Sequence, residues 1–366
     1  MIGALDLFTR TVKKYYEKYG NMLEAGKQGI DTFLFGTDDL DTVANFTLDK
    51  LVVNPQAVSF RKRGEQAHVR PYEPGVGTVY PASYIAEKTT ITEDMLDSVV
   101  AGVESTSGFS AHETKIISDI MKHHTIGHLV TRWKNAIDVI RTGKFTPLGI
   151  GGVDIGEEID FSRDASLDIT YDFTASGATI GEALFDLYTA YIGMNGNPDA
   201  ICILCGTDWI KKFQTDADVL EYMKANTANV LVEQSINPPS FVNVQGLYQV
   251  AKYLIPGTLT PVYILGYKPR YKFLRTDGGT EEEFMPTDEA VIFSSNDNIA
   301  RTRVFRGVNA LSDGGKRVRT VGEIVFDGFT EKDPVSDVLR SQTRYSFIAN
   351  DINETGRSTG TFPTES

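Results

Sequence analysis

The residue types most able to do chemistry gather at three places in this chain. Cys202 and Cys205 stand in ICILC with the C-x-x-C spacing, which serves thiol redox chemistry or half of a zinc site. A redox pair opens a helix, where the thiolate is stabilised, and the chain has no other cysteine. ICILC reads instead as a buried strand, on which residues three apart point to opposite faces. His124 and His128 are four apart, beside His123, and on a helix could share a metal. Position 125 is Thr where H-E-x-x-H requires Glu, and no third ligand is implied nearby, so packing histidines account for them. From 151 to 172 there are seven acids against the single base Arg163. Two of these carboxyl groups could serve a glycosidase at a set separation. The sequence fixes no separation, and a solvated acidic strand face is the plain alternative. Glycines 149, 151, 152 and 156 fit neither G-x-G-x-x-G nor the phosphate-loop pattern. No catalytic residue, cofactor or metal is expected, and the chain is not read as an enzyme.

Two basic clusters run against the overall charge. The chain has 366 residues, with 36 Lys+Arg, 49 Asp+Glu and a net charge of −13, which argues against a protein whose main work is gripping duplex DNA. Yet Arg61, Lys62, Arg63 and Arg70 stand against a lone Glu65, and Arg301, Arg303, Arg306, Lys316, Arg317 and Arg319 against Asp313. The second cluster suits either salt bridges between subunits or a nucleic-acid contact.

The elements that must position these residues follow from periodicity. Hydrophobic residues make up 41%, enough for real cores. The longest unbroken apolar run is Ala200–Cys205, far short of the about 20 residues of a bilayer span, so no membrane partner is expected. The start, MIGALDLFTRTVKK, has no secretory pattern. Residues 1–55 read as an arm whose apolar anchors need another surface, with a short helix within TRTVKKYYEKYGNML. Residues 56–92 alternate and bend at Gly and Pro, which predicts a long two-stranded ribbon with the basic cluster at its tip. Residues 109–141 form one helix, with Ser110 and Glu113 as a capping box and Gly143 as its stop. At ~1.5 Å per residue it is about 50 Å long, a spine for other elements. Helices alternate with buried strands from 176 to 300 (179–197, ICILC, TDWIKKF, DADVLEYMKAN, PVYILGY, EAVIFSS), an α/β unit. Strands return before a Gly/Ser/Thr-rich tail expected to be loose.

This order of parts resembles the lambda-type tailed-phage major capsid proteins, the phage capsid protein E family. The resemblance lies in VYPASYIAEKTTI, in VIRTGKFT against the family's Leu-x-Gly-Lys-Tyr-Thr, and in IDFSRD against Val-Asp-Phe-Gly-Arg, where Ser162 replaces the glycine. It continues through AICILCGTDWIKKF, DNIARTRVFRG and KDPVSDVLRSQ, with SQTRYSF where the family has Ser-Ala-Pro. Each motif is weak; their shared order over about 290 residues is what speaks.

The resemblance implies an α+β class with the Hong Kong 97 phage-type major capsid fold. Residues 1–55 would be the N-terminal arm, 56–92 the extended loop and 93–175 the peripheral domain with the spine helix. Residues 176–319 would be the axial domain, 320–351 the return strands of the peripheral domain and 352–366 a flexible tail. It implies a virion shell subunit that self-assembles into hexamers and pentamers enclosing double-stranded DNA, without sequence recognition. Portal, scaffold and, optionally, a decoration protein would be its partners, and assembly would take place in the host cytoplasm. A host nanocompartment shell or another virion protein is the alternative. The ribbon tip (Arg61, Lys62, Arg63, Arg70) is expected to meet Asp154, Glu157, Glu158 and Asp160 of a neighbouring subunit.

Overall fold

The computed structural model describes residues 29–36, 45–49, 77–81, 83–92, 111–147, 158–195, 201–217, 219–221, 244–255, 258, 261–271, 281–294, 303–306, 308–313, 316–321, 324–332, 335–349 and 352–363. Its helices are α1 Ile30–Phe35, α2 Ala111–Thr142, α3 Ile180–Asn195 and α4 Thr207–Thr215. The strands begin with β1 Asn45–Asp49, β2 Gly77–Pro81, β3 Ser83–Ile91, β4 Lys144–Phe145, β5 Ile159–Asp160, β6 Asp168–Asp172 and β7 Ile201–Cys205. They continue with β8 Leu247–Leu254, β9 Pro261–Tyr267, β10 Arg270–Tyr271, β11 Glu282–Glu283 and β12 Glu289–Ser294. The last are β13 Arg303–Arg306, β14 Val308–Asp313, β15 Lys316–Val321, β16 Val325–Lys332, β17 Val335–Ile348 and β18 Thr355–Thr361.

Two sheets organise these elements. One has six strands in the order β6-β18-β12-β7-β9-β8. Its middle is apolar on both faces because both are covered, as a sheet between helix layers requires. Ile201, Ile203 and Cys205 point into a core with α3 and α4; Cys202 and Leu204 point into a second core with α1, α2 and β17. The other sheet is built on β17, a 14-residue strand. It pairs antiparallel with the whole of β3 through Asp337–Tyr345, with β16, and with β13 at its end.

The spine helix α2 lies between the sheets. Its C-terminal half is buried all round: Ala136, Ile137, Val139 and Ile140 are 0% exposed. Its N-terminal half packs on the β17 sheet, through Ile117 and Met121 against Ile91 and Leu339, with Phe326 of β16 beside them. It ends where expected. Gly143 takes φ 72°, a left-handed value that suits glycine, and its N–H donates to Val139 O at 2.9 Å.

Four expectations need correcting. The arm is not wholly without a home in its own chain, because Ile30, Leu34 and Phe35 of α1 are 1–2% exposed in the core against α2. The ribbon starts earlier than 56: β1 pairs with β2 from Asn45↔Pro81 to Asp49↔Gly77, while β3 leaves it for the β17 sheet. The tail is no loose end over 352–363. Strand β18 sits between β6 and β12, with Thr355 and Ser358 at 0% exposure. Its Gly and Thr suit a strand packed closely on both sides, a role composition does not reveal. The α/β sheet therefore recruits β6 and β18 from outside 176–319, and β13, inside that range, pairs with β17. The helix expected within 9–23, the cap Ser110 and most of DADVLEYMKAN lie outside the described residues.

Candidate functional site

The acidic segment and the end of the spine helix meet in one place. The short pair β4–β5 sets Lys144 opposite Asp160. Lys144 Nζ lies 2.7 Å from Glu158 Oε1 and 3.4 Å from Asp160 Oδ2, and Thr146 Oγ1 donates to Glu158 Oε2 at 3.3 Å. The hydrogen bonds it donates to Glu158 and Asp160 hold the Lys144 ammonium above its ordinary pKa. Two of the four acids expected to receive a neighbour's ribbon thus share an intrachain cation, with one negative charge left over. Asp154, Glu157, Arg61, Lys62, Arg63 and Arg70 lie outside the described residues.

After β5 the chain turns sharply at Ser162, whose φ is 55°. This explains the glycine of the family pattern: left-handed backbone costs an ordinary L-residue about 1–2 kcal/mol. Asp160 compensates in part by accepting the Ser162 N–H at 2.7 Å. Ser162→Gly should raise the unfolding free energy by about 0.5–1 kcal/mol, read from the urea midpoint; an unchanged or lower midpoint would show that the Asp160 bond already removes the strain.

The turn delivers Arg163 to the spine. Its Nη1 donates to Ile140 O at 2.8 Å and its Nη2 to Arg141 O at 2.7 Å, so a cation caps the carbonyl end of α2, where the helix dipole favours it. From there opposite charges alternate across four elements. Arg163 meets Asp168; Arg357 Nε lies 3.1 Å from Asp168 Oδ1; Arg357 Nη1 and Arg141 Nη1 reach Glu289 Oε1 at 3.8 and 3.0 Å. Arg141 and Lys134 share Asp138. The chain of charges fastens the spine helix to β6, β12 and β18. Its sequence signal was Arg163, the single base among seven acids. Asp168 is one of those acids, but Glu289 and Arg357 come from more than 120 residues away and carried no signal.

The other two described acids, Asp164 and Asp172, build turns. Asp164 accepts from Ser166 N and Oγ, and Asp172 from Thr174 N and Oγ1; these bonds lower both carboxyl pKa values. A glycosidase acid needs the opposite shift.

The histidines and cysteines pack. His124 Nε2 lies 2.8 Å from Thr89 Oγ1, and His128 Nε2 2.8 Å from Ser341 Oγ, both between the spine and the β3–β17 pair. Burial lowers both imidazole pKa values, His128 to about 4. Against an ordinary 6.5, the unfolded chain takes up the proton first, so this stability is complete above pH 6.5 and lost as pH falls through 4. The loss is on the order of 3 kcal/mol for His128. Urea midpoints should fall between pH 7 and 4, and His128→Gln should flatten that slope; an equal slope in the variant would place the sensitivity elsewhere. Cys202 and Cys205 are unbridged thiols, buried and in different cores, and burial pushes the Cys205 thiol up to about 12, the reverse of a redox thiol.

These parts are a spine helix between two sheets, a paired ribbon base and a glycine-type turn capping the spine. They match a known model: that of Phage major capsid protein E matches residues 31–344. The chain belongs to this family. Its fold is the α+β fold of Hong Kong 97 phage-type shell proteins, and it is a tailed-phage shell protein that assembles with itself and resides in the virion. Among solved structures, a prophage protein of E. coli CFT073 assigned as a capsid protein is 15% identical, with 96% of this chain and 99% of that chain covered and a TM-score of 0.57. A phage-related protein from Bordetella bronchiseptica RB50 is 8% identical, with 90% and 91% covered and a TM-score of 0.46. A chain of the bacteriophage PhiM1 mature capsid is 9% identical, with 92% and 88% covered and a TM-score of 0.45. No curated protein matches the chain. The family is one of structural proteins.

Proposed function

We propose that this chain builds hexamers and pentamers of a closed, icosahedral-type shell around double-stranded DNA, assembling in the host cytoplasm with a scaffold and a portal. A decoration protein is an optional outer partner. The single observation that supports this is the match to the capsid family over residues 31–344. The peripheral domain comprises α2 with the β17 sheet, the axial domain the six-stranded sheet, and residues ahead of α1 reach neighbouring subunits.

The extended loop makes the register contact. Between the paired ends Asp49 and Gly77 run residues 50–76, centred in sequence on residue 63, so Arg61, Lys62 and Arg63 fall at the midpoint. Thirteen residues a side can span at most about 45 Å. Each exposed ion pair contributes only about 0.2–1 kcal/mol, but the contact repeats at every subunit. Arg61→Glu with Arg63→Glu should leave a folded subunit that forms few closed shells, easing as salt rises. Glu157→Lys should partly restore assembly. Glu158→Lys is the poorer partner change, because it sets an ammonium beside Lys144. Negative-stain microscopy and sedimentation decide: shells at normal yield in low salt from the double Glu variant would end the loop reading. Rods or rings from the unaltered protein, or shells carrying an enzyme cargo and no genome, would end the proposed function.

A further inference from the structure

Two of the contacts that hold the N-terminal half of the spine helix to the β17 sheet are imidazoles. His124 and His128 stand one turn apart on the buried face of α2, 1% and 4% exposed. Each places its Nε2 2.8 Å from a hydroxyl of the sheet, Thr89 of β3 and Ser341 of β17. The Nδ1 of each is buried with no hydrogen-bond partner among the described residues. Beside them a small apolar cluster seals this half: Ile117, Met121, Ile91 and Leu339, with Ile120 and Phe326 partly buried. The C-terminal half is fastened differently. Its Ala136, Ile137, Val139 and Ile140 lie in the core shared with α1. Arg132 pairs with Asp31, Asn135 Nδ2 donates to the Tyr345 hydroxyl at 2.8 Å, and Arg163 caps the last carbonyls.

Charges able to shelter a proton on these rings are sparse. On α2 itself, His123 disfavours charge on His124, and His124 disfavours it on His128; Asp119 and Lys122 pair with each other. From β3 comes Glu87, which favours charge on His124. From β17 come Leu339, Ser341 and the phenol of Tyr345, and from β16 Phe326. Asp327 of β16 pairs with Arg340, and Asp31 of α1 with Arg132. A second proton on either ring would sit on Nδ1, where no protein group accepts it, and two cations one turn apart would repel. Water is the acceptor they lack, and the shortest way to it is local. Lifting the N-terminal half exposes both rings and leaves the two large cores closed, since stability is not uniform across a fold.

We propose that His124 and His128 form a proton-released latch: when they charge, residues 111–128 of the spine part from β3 and β17 while residues 129–142 stay seated. The latch belongs to the single subunit and does not depend on shell assembly. Its direction follows from linkage. The rings are held neutral in the closed form and are free to charge in the open one, so they favour closure above pH 6.5 and opening below it. The closed-form pKa of His128 is about 4 against an ordinary 6.5. That ring alone should therefore raise the open population about tenfold or more between pH 6.5 and 5.

Amide hydrogen exchange of the full chain, read by mass spectrometry and corrected for the intrinsic pH dependence of exchange, tests it. Between pH 6.5 and 5, peptides within 111–128 should lose protection about tenfold or more, and those within 129–142 should keep theirs. His124→Gln with His128→Gln retains an amide that can bond the two hydroxyls, and it should abolish the pH step. His123→Gln, outside the buried face, should leave the step in place. Equal loss in both halves would mean that the whole subunit opens, and would overturn the proposal. So would a step that survives the double variant, or no step in the unaltered protein. The comparison of the two halves is made within the unaltered chain, so it decides even if the double variant does not fold.

Discussion

Asp31→Ala is expected to lower the unfolding free energy by about 3–5 kcal/mol, enough to leave much of the chain unfolded at 37 °C. Asp31 is 4% exposed and pairs with the guanidinium Nε of Arg132, itself 7% exposed. The pair lies between α1 and the middle of the spine. Around it Ile30, Leu34 and Phe35 are sealed in the core, Phe35 4.7 Å from the Phe347 ring and Phe33 6.0 Å from Phe293. Removing the carboxylate takes this counter-charge from a buried guanidinium, and desolvation, rather than the loss of one attraction, sets the size of the effect. Asp31→Ala with Arg132→Met should recover most of the loss, since neither charge then remains. Urea titration of the three proteins decides; a single variant within about 1 kcal/mol of the parent would show that Arg132 finds water. The same packing separates two truncations. Deleting 1–27 spares α1 and should leave the fold while weakening shells. Deleting 1–36 removes the wedge and should yield no soluble folded subunit.

Gly206→Ala should cost about 3 kcal/mol or more, although its φ of −71° is open to any residue. The cause is contact with main chain. A Cβ here would stand 2.6 Å from Thr287 O and closer still to Pro286 O. Neither carbonyl can withdraw cheaply. Gly206 N–H donates to Glu289 O at 2.8 Å and Asp208 N–H to Thr287 O at 2.9 Å, so the loop before β12 is laced to the turn that opens α4. Trp209 Nε1 adds a third bond, to Asp288 O at 2.8 Å. Relief would have to break these bonds or tilt α4, whose Trp209, Ile210 and Phe213 seal one core. Insoluble expression, or a Tm lower by about 5 °C or more, is the expected result; a Tm within a degree of the parent would mean that the loop yields.

Local periodicity was enough for the spine helix, for ICILC, PVYILGY and EAVIFS as strands, and for α3 and α4. Each of these has a signal within one turn or one alternation of its own residues. The opposite-facing cysteines followed from strand geometry alone, and the family from the order of its motifs. Ser162 stood out as a departure from a glycine pattern, but only the turn angle explained it. The tertiary structure decided what depends on distant partners. The burial of IDTFLF needed the aromatic residues of β17, more than 300 positions on. The place of β18 needed β6 and β12, since Thr and Gly look the same in a loose tail and in a sheet interior. The charges on Glu158 and Asp160 looked free until Lys144 was folded onto them. Sequence pattern reports which face of an element is apolar; it does not report what covers that face, because burial belongs to pairs of elements and not to either one.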